Sequence, residues 1–325
     1  MRALHICRSG PLGTRRSRWR FCARRLACRI GIAFAWGAVA GALGGGAPAP
    51  AAASSAWLPN AREILARAKW IQSNSDEAFC PAIGVDDELD PCGDGGRAAY
   101  AFDGRSRLRS GIVEAEAGLS RGVALDASLS YSQVRFDDTL TRRRTRGLGD
   151  LRIGARFALA RGAAPVAPFV ALKIPLGDAP SAPQAIQLSE MQLDLEAGVF
   201  AGASLWPRPA FLAASCGYRV RGENRDTRRD PGNEIFASFD AGIRAGRLLA
   251  KGGVSGLWGG ETIDRGTNAT KIVEAGKRAT QISAGALFDL SARAAIDAAI
   301  TVPVRGRNYP TGVTFVAGLS VRLGV

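Results

Sequence analysis

Along residues 191–205 apolar and polar side chains alternate with a period of two. Met191, Leu193, Leu195, Ala197, Val199, Ala201, Ala203 and Leu205 hold one parity. Glu190, Gln192, Asp194, Glu196, Gly198, Phe200, Gly202 and Ser204 hold the other. Successive side chains of a strand point to opposite faces, so this pattern predicts a strand between two unlike environments. It is also long: strands of soluble proteins usually run about 5–6 residues, whereas a membrane-spanning strand needs about 9–11. The same alternation recurs with Leu151, Ile153, Ala155, Phe157 and Leu159; with Ile235, Ala237, Phe239, Ala241 and Ile243; and with Ile282, Ala284, Ala286, Phe288 and Leu290. It returns in Ile296, Ala298, Ile300, Val302 and Val304, and in Val313, Phe315, Ala317, Leu319, Val321 and Leu323.

These patterns predict strands at residues 62–72, 104–119, 122–135, 148–160, 165–176, 188–205, 209–221, 233–246, 248–260, 278–290, 293–305 and 312–324. The first also fits an amphipathic helix. Tight connections at residues 120–122, 162–164, 206–208, 246–247 and 291–292 alternate with longer polar loops at 73–103, 136–147, 177–187, 222–232 and 261–277, the one short connection on the long-loop side being 308–312. Antiparallel strands with short turns at one end and long loops at the other describe an outer-membrane barrel. The expected fold is therefore all-β: a closed antiparallel transmembrane β-barrel of about twelve strands. A soluble sandwich, with the apolar parity turned inward, is the competing arrangement. No stretch after residue 56 holds eighteen consecutive apolar residues, which argues against membrane-spanning helices. Trp57, Trp70, Trp206 and Trp258 fall near strand ends, where interfacial aromatics are expected.

Charge changes the picture in two places. The net charge is +14, but residues 1–56 carry nine arginines and no acid, so the remainder is only +5. That leading segment also contains a 14-residue apolar run at 30–43 and ends in small residues around Ala53 and Ala56. It reads as an export signal spanning residues 1–56, cleaved near Ala53 or Ala56, with residues 57–325 as the barrel. An uncleaved N-terminal anchor is the alternative. Basic residues do not interleave with aromatics on a regular element, so nucleic acid is not an expected partner. The expected surroundings are outer-membrane lipid.

Within the barrel the predicted inner parity collects Glu114, Glu116, Asp126, Arg152, Arg156, Lys173, Asp194, Glu196, Arg219, Asp240, Arg244, Asp289, Asp297 and Arg305 as lumen-lining residues. Glu63, Arg67, Lys69, Asp150, Glu190, Lys251 and Arg322 share it. That set has 11 acids and 10 bases. A strongly ion-selective pore would show one dominant sign. Balance instead favours cross-strand pairing, or charges that simply keep the lumen wet.

Candidate chemistry is sparse. The one histidine, His5, lies in the predicted signal, so no Ser-His-Asp or Cys-His site can be assembled from the barrel. No enzymatic activity, cofactor or metal site is expected. The acidic run Asp86, Asp87, Glu88, Asp90 and Asp94 fits a solvated loop better than a weak Ca²⁺ site. In an oxidising compartment Cys80 and Cys92 can pair across their loop, or stay as two free thiols. Cys216, within a strand pattern, reads as a small packing residue.

Three segments carry a family resemblance: Ala56-Trp57-Leu58-Pro59, residues 113–123 (VEAEAGLSRGV) and residues 147–157 (GLGDLRIGARF). Together they resemble the outer-membrane transporter-type barrels of the phenol-degradation MetA-pathway family, over most of residues 57–325. The Gly-Leu-Gly-Asp segment would end an external loop and open a strand. The resemblance implies a passive channel or transporter for small molecules, hydrophobic ones included. A non-transporting structural or adhesion barrel at the cell surface is the other class left open.

Overall fold

In a computed structural model of the protein, residues 56–80, 96–177, 188, 191–224, 228–264 and 272–324 are described. Twelve long strands make the body: β1 (Glu63–Ser75), β2 (Arg105–Ser120), β3 (Val123–Asp137), β4 (Arg142–Phe157), β5 (Val166–Pro175), β6 (Asp194–Ser204), β7 (Ala210–Arg221), β8 (Glu234–Ala245), β9 (Leu248–Gly259), β10 (Arg278–Asp289), β11 (Ala294–Arg307) and β12 (Val313–Gly324). They hold 10 to 16 residues each, long enough to cross a bilayer at a tilt. Among the described residues, no helix is long and apolar enough to cross a membrane.

The strands form one antiparallel sheet in the order β8-β9-β10-β11-β12-β1-β2-β3-β4-β5-β6-β7. The first and last strands are joined in the ladder, from Glu63 opposite Gly324 to Asn74 opposite Val313. The barrel closes where β7 and β8 lie side by side. There the Arg244 N–H donates to the Pro209 carbonyl (2.7 Å), Ser215 Oγ lies 2.6 Å from Ser238 Oγ, and the Arg221 N–H donates to Asn233 Oδ1 (2.9 Å). In hydrocarbon every backbone polar group needs a protein partner, which is why a spanning sheet must close.

Burial follows the alternation in the sense opposite to a soluble protein. Arg156, Asp194 and Glu196 are among the largest fully buried side chains, while Val113, Ile153, Val170, Leu195 and Phe315 are exposed. The inner face is charged and the outer face apolar. This sense of alternation rules out the soluble sandwich, whose apolar parity would be the buried one.

Several expected boundaries move. Residues 63–75 form a strand, not a helix. β4 begins at Arg142, so the arginine run expected in a loop is paired with β3, out to Arg142 opposite Asp137. β6 begins at Asp194 rather than 188. The Gly-Leu-Gly-Asp segment does not open a strand but lies within β4, where the register to β3 shifts between Leu129 and Tyr131. A Cβ at Gly149 would come 2.3 Å from Ser130 Oγ, so glycine at the bulge leaves that hydroxyl in place.

Two small sheets extend the long-loop end. One joins Tyr309–Pro310, Glu77–Phe79 and Arg97–Ala99; the other joins Arg229–Asp230, Thr262–Asp264 and Ile272–Glu274. Phe79, Ala279 and Tyr309 form a small buried apolar cluster at the first.

Candidate functional site

The inner parities of β2 to β8 bring most of the predicted site residues into one chain of ion pairs. It starts with Glu116 paired to Arg156, whose Nε lies 3.6 Å from Asp126 Oδ1. Arg152 bridges Asp126 (2.5 Å) and Glu196 (2.9 Å). Glu196 in turn accepts from Arg219 Nε at 2.9 Å, and Arg219 pairs with Glu234. Arg221 donates to Glu234 at 2.8 Å and approaches Asp194 at 3.8 Å. Lys173 lies between Asp194 (2.6 Å) and Asp150 (3.2 Å). On β1 and β2, Lys69 pairs with Glu114 at 2.7 Å. Cross-strand register causes this order: Asp126 faces Gly154, Ser128 faces Arg152, Arg152 faces Lys173, Lys173 faces Asp194, and Glu196 faces Arg219. A glycine opposite Asp126 leaves room for the carboxylate to reach the arginines on either side of it.

All of these inner carboxylates and cations are buried, Arg156 and Asp194 to 0% exposure. Little of their surface is open, so paired side chains fill the space along this half of the wall. Each faces at least one group of opposite sign, as burial at that depth demands, since an unpaired charge there carries a penalty of several kcal/mol.

The remaining predicted residues fall elsewhere. Asp240 on β8 and Asp297 on β11 are half-buried, their carboxylates resting against Gly253 and Gly318 of the neighbouring strands. Arg244 and Asp289 pair near the short-turn end and are partly exposed. Arg305 departs from its expected place. A register shift sets Gln281 opposite Pro303 but Thr280 opposite Arg305, so one extra residue in β11 moves Arg305 to the outward parity, where it is exposed. Glu190 and Cys92 lie outside the described residues, as do the acidic loop and the predicted signal through residue 55. Cys80 is buried. Cys216 is a free, exposed thiol rather than a packing residue. Among the described residues no group of His, Cys, Asp and Glu is arranged to hold a metal.

The inner face also holds an apolar layer. Ala56, Ala167, Phe169, Phe200 and Phe236 form a buried cluster, with Leu58 and Leu257 packed against it. Phe169 stacks with Phe200 at 4.7 Å and approaches Phe236 at 6.3 Å. The Arg219 guanidinium lies 5.6 Å over the Phe236 ring, joining the apolar layer to the charged one. Residues 56–58 thus enter from before β1 and lie against the inner wall. Trp57, expected at a membrane interface, instead meets Phe211 edge-on at 6.1 Å. A Cβ at Gly202 would come 2.5 Å from its ring, so glycine there makes the space.

Parity reasoning did not single out Arg221, Glu234 or the aromatics. The first two sit at predicted strand ends, one residue from the loops. Phe200 stood on the polar parity of residues 191–205, a signal in itself, since an inward aromatic has no reason to be there unless something apolar meets it. Outside the strands, burial and the nearby Arg221 guanidinium push the Lys277 ammonium down to about 8.

A closed antiparallel barrel with an apolar outer face and a charged inner one defines a transmembrane barrel of the outer-membrane type. The chain belongs to the family described as the MetA-pathway of phenol degradation, whose model matches residues 113–319, more than half of the sequence. No curated protein matches it in sequence. Among solved structures it is similar to the COG4313 outer membrane channel from Pseudomonas putida F1, at 16% identity and a TM-score of 0.65, over 82% of this chain and 97% of that one. It is also similar to the β domain of the Bordetella autotransporter BrkA (11% identity, TM-score 0.47, 80% of this chain and 99% of that one). The CymD monoaromatic hydrocarbon channel matches at 12% identity and a TM-score of 0.42, over 82% of this chain and 89% of that one.

Proposed function

We propose that the barrel is an outer-membrane channel that admits small hydrophobic molecules past an apolar constriction. The observation that carries this is the inner wall of β2 to β8: its network of charges is paired and buried, and against it lies the apolar cluster of Ala56, Leu58, Phe169, Phe200 and Phe236. A polar solute would have to compete with buried ion pairs and shed its hydration against aromatic rings, which is costly. An apolar solute needs only to displace apolar side chains. A family named for phenol degradation fits a small aromatic cargo. In this reading the leading segment directs export and is cleaved near Ala53, which leaves Ala56 in the constriction; the paired inner charges set the lumen wall, and no catalytic step is involved.

Proteoliposomes holding the purified barrel test the proposal. Accelerated entry of a labelled monoaromatic such as toluene, with sugar-driven swelling no faster than in empty vesicles, is the expected result. Trp57→Ala should raise ion conductance by loosening the constriction. Rapid swelling in small sugars would make the barrel an open pore and overturn the proposal. No flux of either solute would leave the structural or adhesion barrel as the better reading.

A further inference from the structure

The outward face of β1 to β4 changes character at one rung. Below it, towards the short-turn end, β2 presents Leu119, Ala117, Ala115 and Val113, and β3 presents Leu125, Ala127 and Leu129, an apolar surface fit for acyl chains. The rung itself is Trp70, Gly111, Tyr131 and Leu148, placed in line by the ladders. Its two aromatics are exposed and mark the edge of the hydrocarbon, as aromatic girdles do.

Beyond that edge the same outward parity turns to arginine. The next row is Gln72, Arg109, Gln133 and Arg146; then Asn74, Arg107, Arg135 and Arg144; then Arg105, Asp137 and Arg142. These three rows hold seven arginines and one acid. Two residues advance a strand by about 6.8 Å, and at a tilt of about 40° each row stands roughly 5 Å higher than the last. The arginines therefore span the headgroup layer directly above the acyl chains. They face away from the lumen, so they cannot line the route of a solute.

The middle row carries an excess of positive charge. Arg107, Arg135 and Arg144 stand directly opposite one another on three adjacent strands. Like charges in that relation destabilise a sheet unless something neutralises them. Neighbours hold the guanidiniums in place and cancel only one charge of the three, that of Arg135. Asn74 Oδ1 accepts from Arg107 Nε (3.2 Å), Gln133 Oε1 accepts from Arg144 Nη2 (2.9 Å), and Asp137 lies 2.6 Å from Arg135 Nε. Each guanidinium has five N–H donors, and its planar fork matches a phosphate.

We propose that this face is a docking site for the phosphorylated glycolipid of the outer leaflet, lipid A, with its phosphates on the Arg107-Arg135-Arg144 row and its acyl chains on the apolar surface below. Continuity of the arginine rows with the lipid-facing belt selects a membrane lipid over a free anion, and the charge selects its phosphates.

Binding of bis-phosphorylated lipid A to the refolded full barrel in phosphatidylcholine nanodiscs, read by native mass spectrometry, tests this. The comparison lipids are the same glycolipid without its phosphates, and inorganic phosphate serves as competitor. The triple variant Arg107→Ser/Arg135→Ser/Arg144→Ser should bind lipid A about a hundredfold more weakly. The wild type should bind the dephosphorylated lipid as weakly as that variant binds lipid A. The matching triple to lysine, which keeps the charge but not the fork, should fall between. Heat-shifted gel mobility shows which variants are folded, and if the serine triple fails to insert, the single Arg135→Ser should still show a smaller loss. Equal affinity of folded serine variants and wild type for lipid A overturns the proposal. So does equal affinity of wild type for the two glycolipids, or displacement of lipid A by equimolar inorganic phosphate. None of these readouts depends on whether the lumen conducts.

Discussion

Glu196 sits between two guanidiniums, with Arg152 on one side and Arg219 on the other, each at 2.9 Å. Its parity in the sequence pointed inward, and the carboxylate is indeed buried. Its partners, however, come from strands 44 and 23 residues away in the chain. Replacing it by Gln leaves two buried cations short of a counter-charge, and breaking such a pair costs about 3–5 kcal/mol. Urea titration of the refolded barrel should therefore show Glu196→Gln strongly destabilised. Glu63→Gln, which loses a pair to the largely exposed Arg322, should fall by less than about 1 kcal/mol. Equal losses at both sites would show that the inner wall is as wet as the rim. Arg305 teaches the converse: its parity also pointed inward, but one bulged residue before it reversed the face.

At the scale of the strand, the period-two pattern carries most of the information. Leu195 faces outward between Asp194 and Glu196, which face inward, and the whole of β6 is fixed by that choice because a one-residue slip exchanges its faces. Leu195→Arg should cost about 2–4 kcal/mol if it meets the middle of the bilayer, measured by denaturant titration in lipid vesicles. Trp206→Arg, in the exposed turn between β6 and β7, should cost far less. A tolerated Leu195→Arg would mean that the outer face does not meet hydrocarbon. Strand limits were harder to read than strand faces. The run from Arg142 to Arg146 resembles a loop by composition, but β3 is long enough to pair with it residue for residue. The bulge at Gly149 was equally hidden, since the hydroxyl that a Cβ there would meet belongs to Ser130 on another strand.

For the whole molecule, closure and compartment matter more than any one contact. β1 and β12 must find each other across the entire barrel sequence before the sheet has no open edge. The long-loop end is where covalent closure is proposed. Cys80 is buried beside the small sheet, its N–H donating to the Gly96 carbonyl at 3.1 Å, and Cys92 is the cysteine proposed to pair with it. Closing a loop of that size is worth about 3 kcal/mol. Material exported to the cell envelope should lack alkylatable thiols at both positions until reduced, by mass spectrometry. Cytoplasmic inclusion bodies should carry both free. Two reactive thiols in the exported form would reject the pairing.

The sequence by itself determined the class of structure: strands long enough to cross a bilayer, faces of unlike polarity, and a near-balance of inward charge. These are local, because the backbone's two-residue period writes the environment of each face directly into neighbouring residues. Only the tertiary structure decided which charges meet. It also decided where bulges turn Arg305 outward, that residues 56–58 lie against inward phenylalanines, and that the outward arginines of three strands stand in one row. Those features depend on register between strands far apart in the chain, and a single chain's alternation gives the face of each residue but not its partner across the ladder.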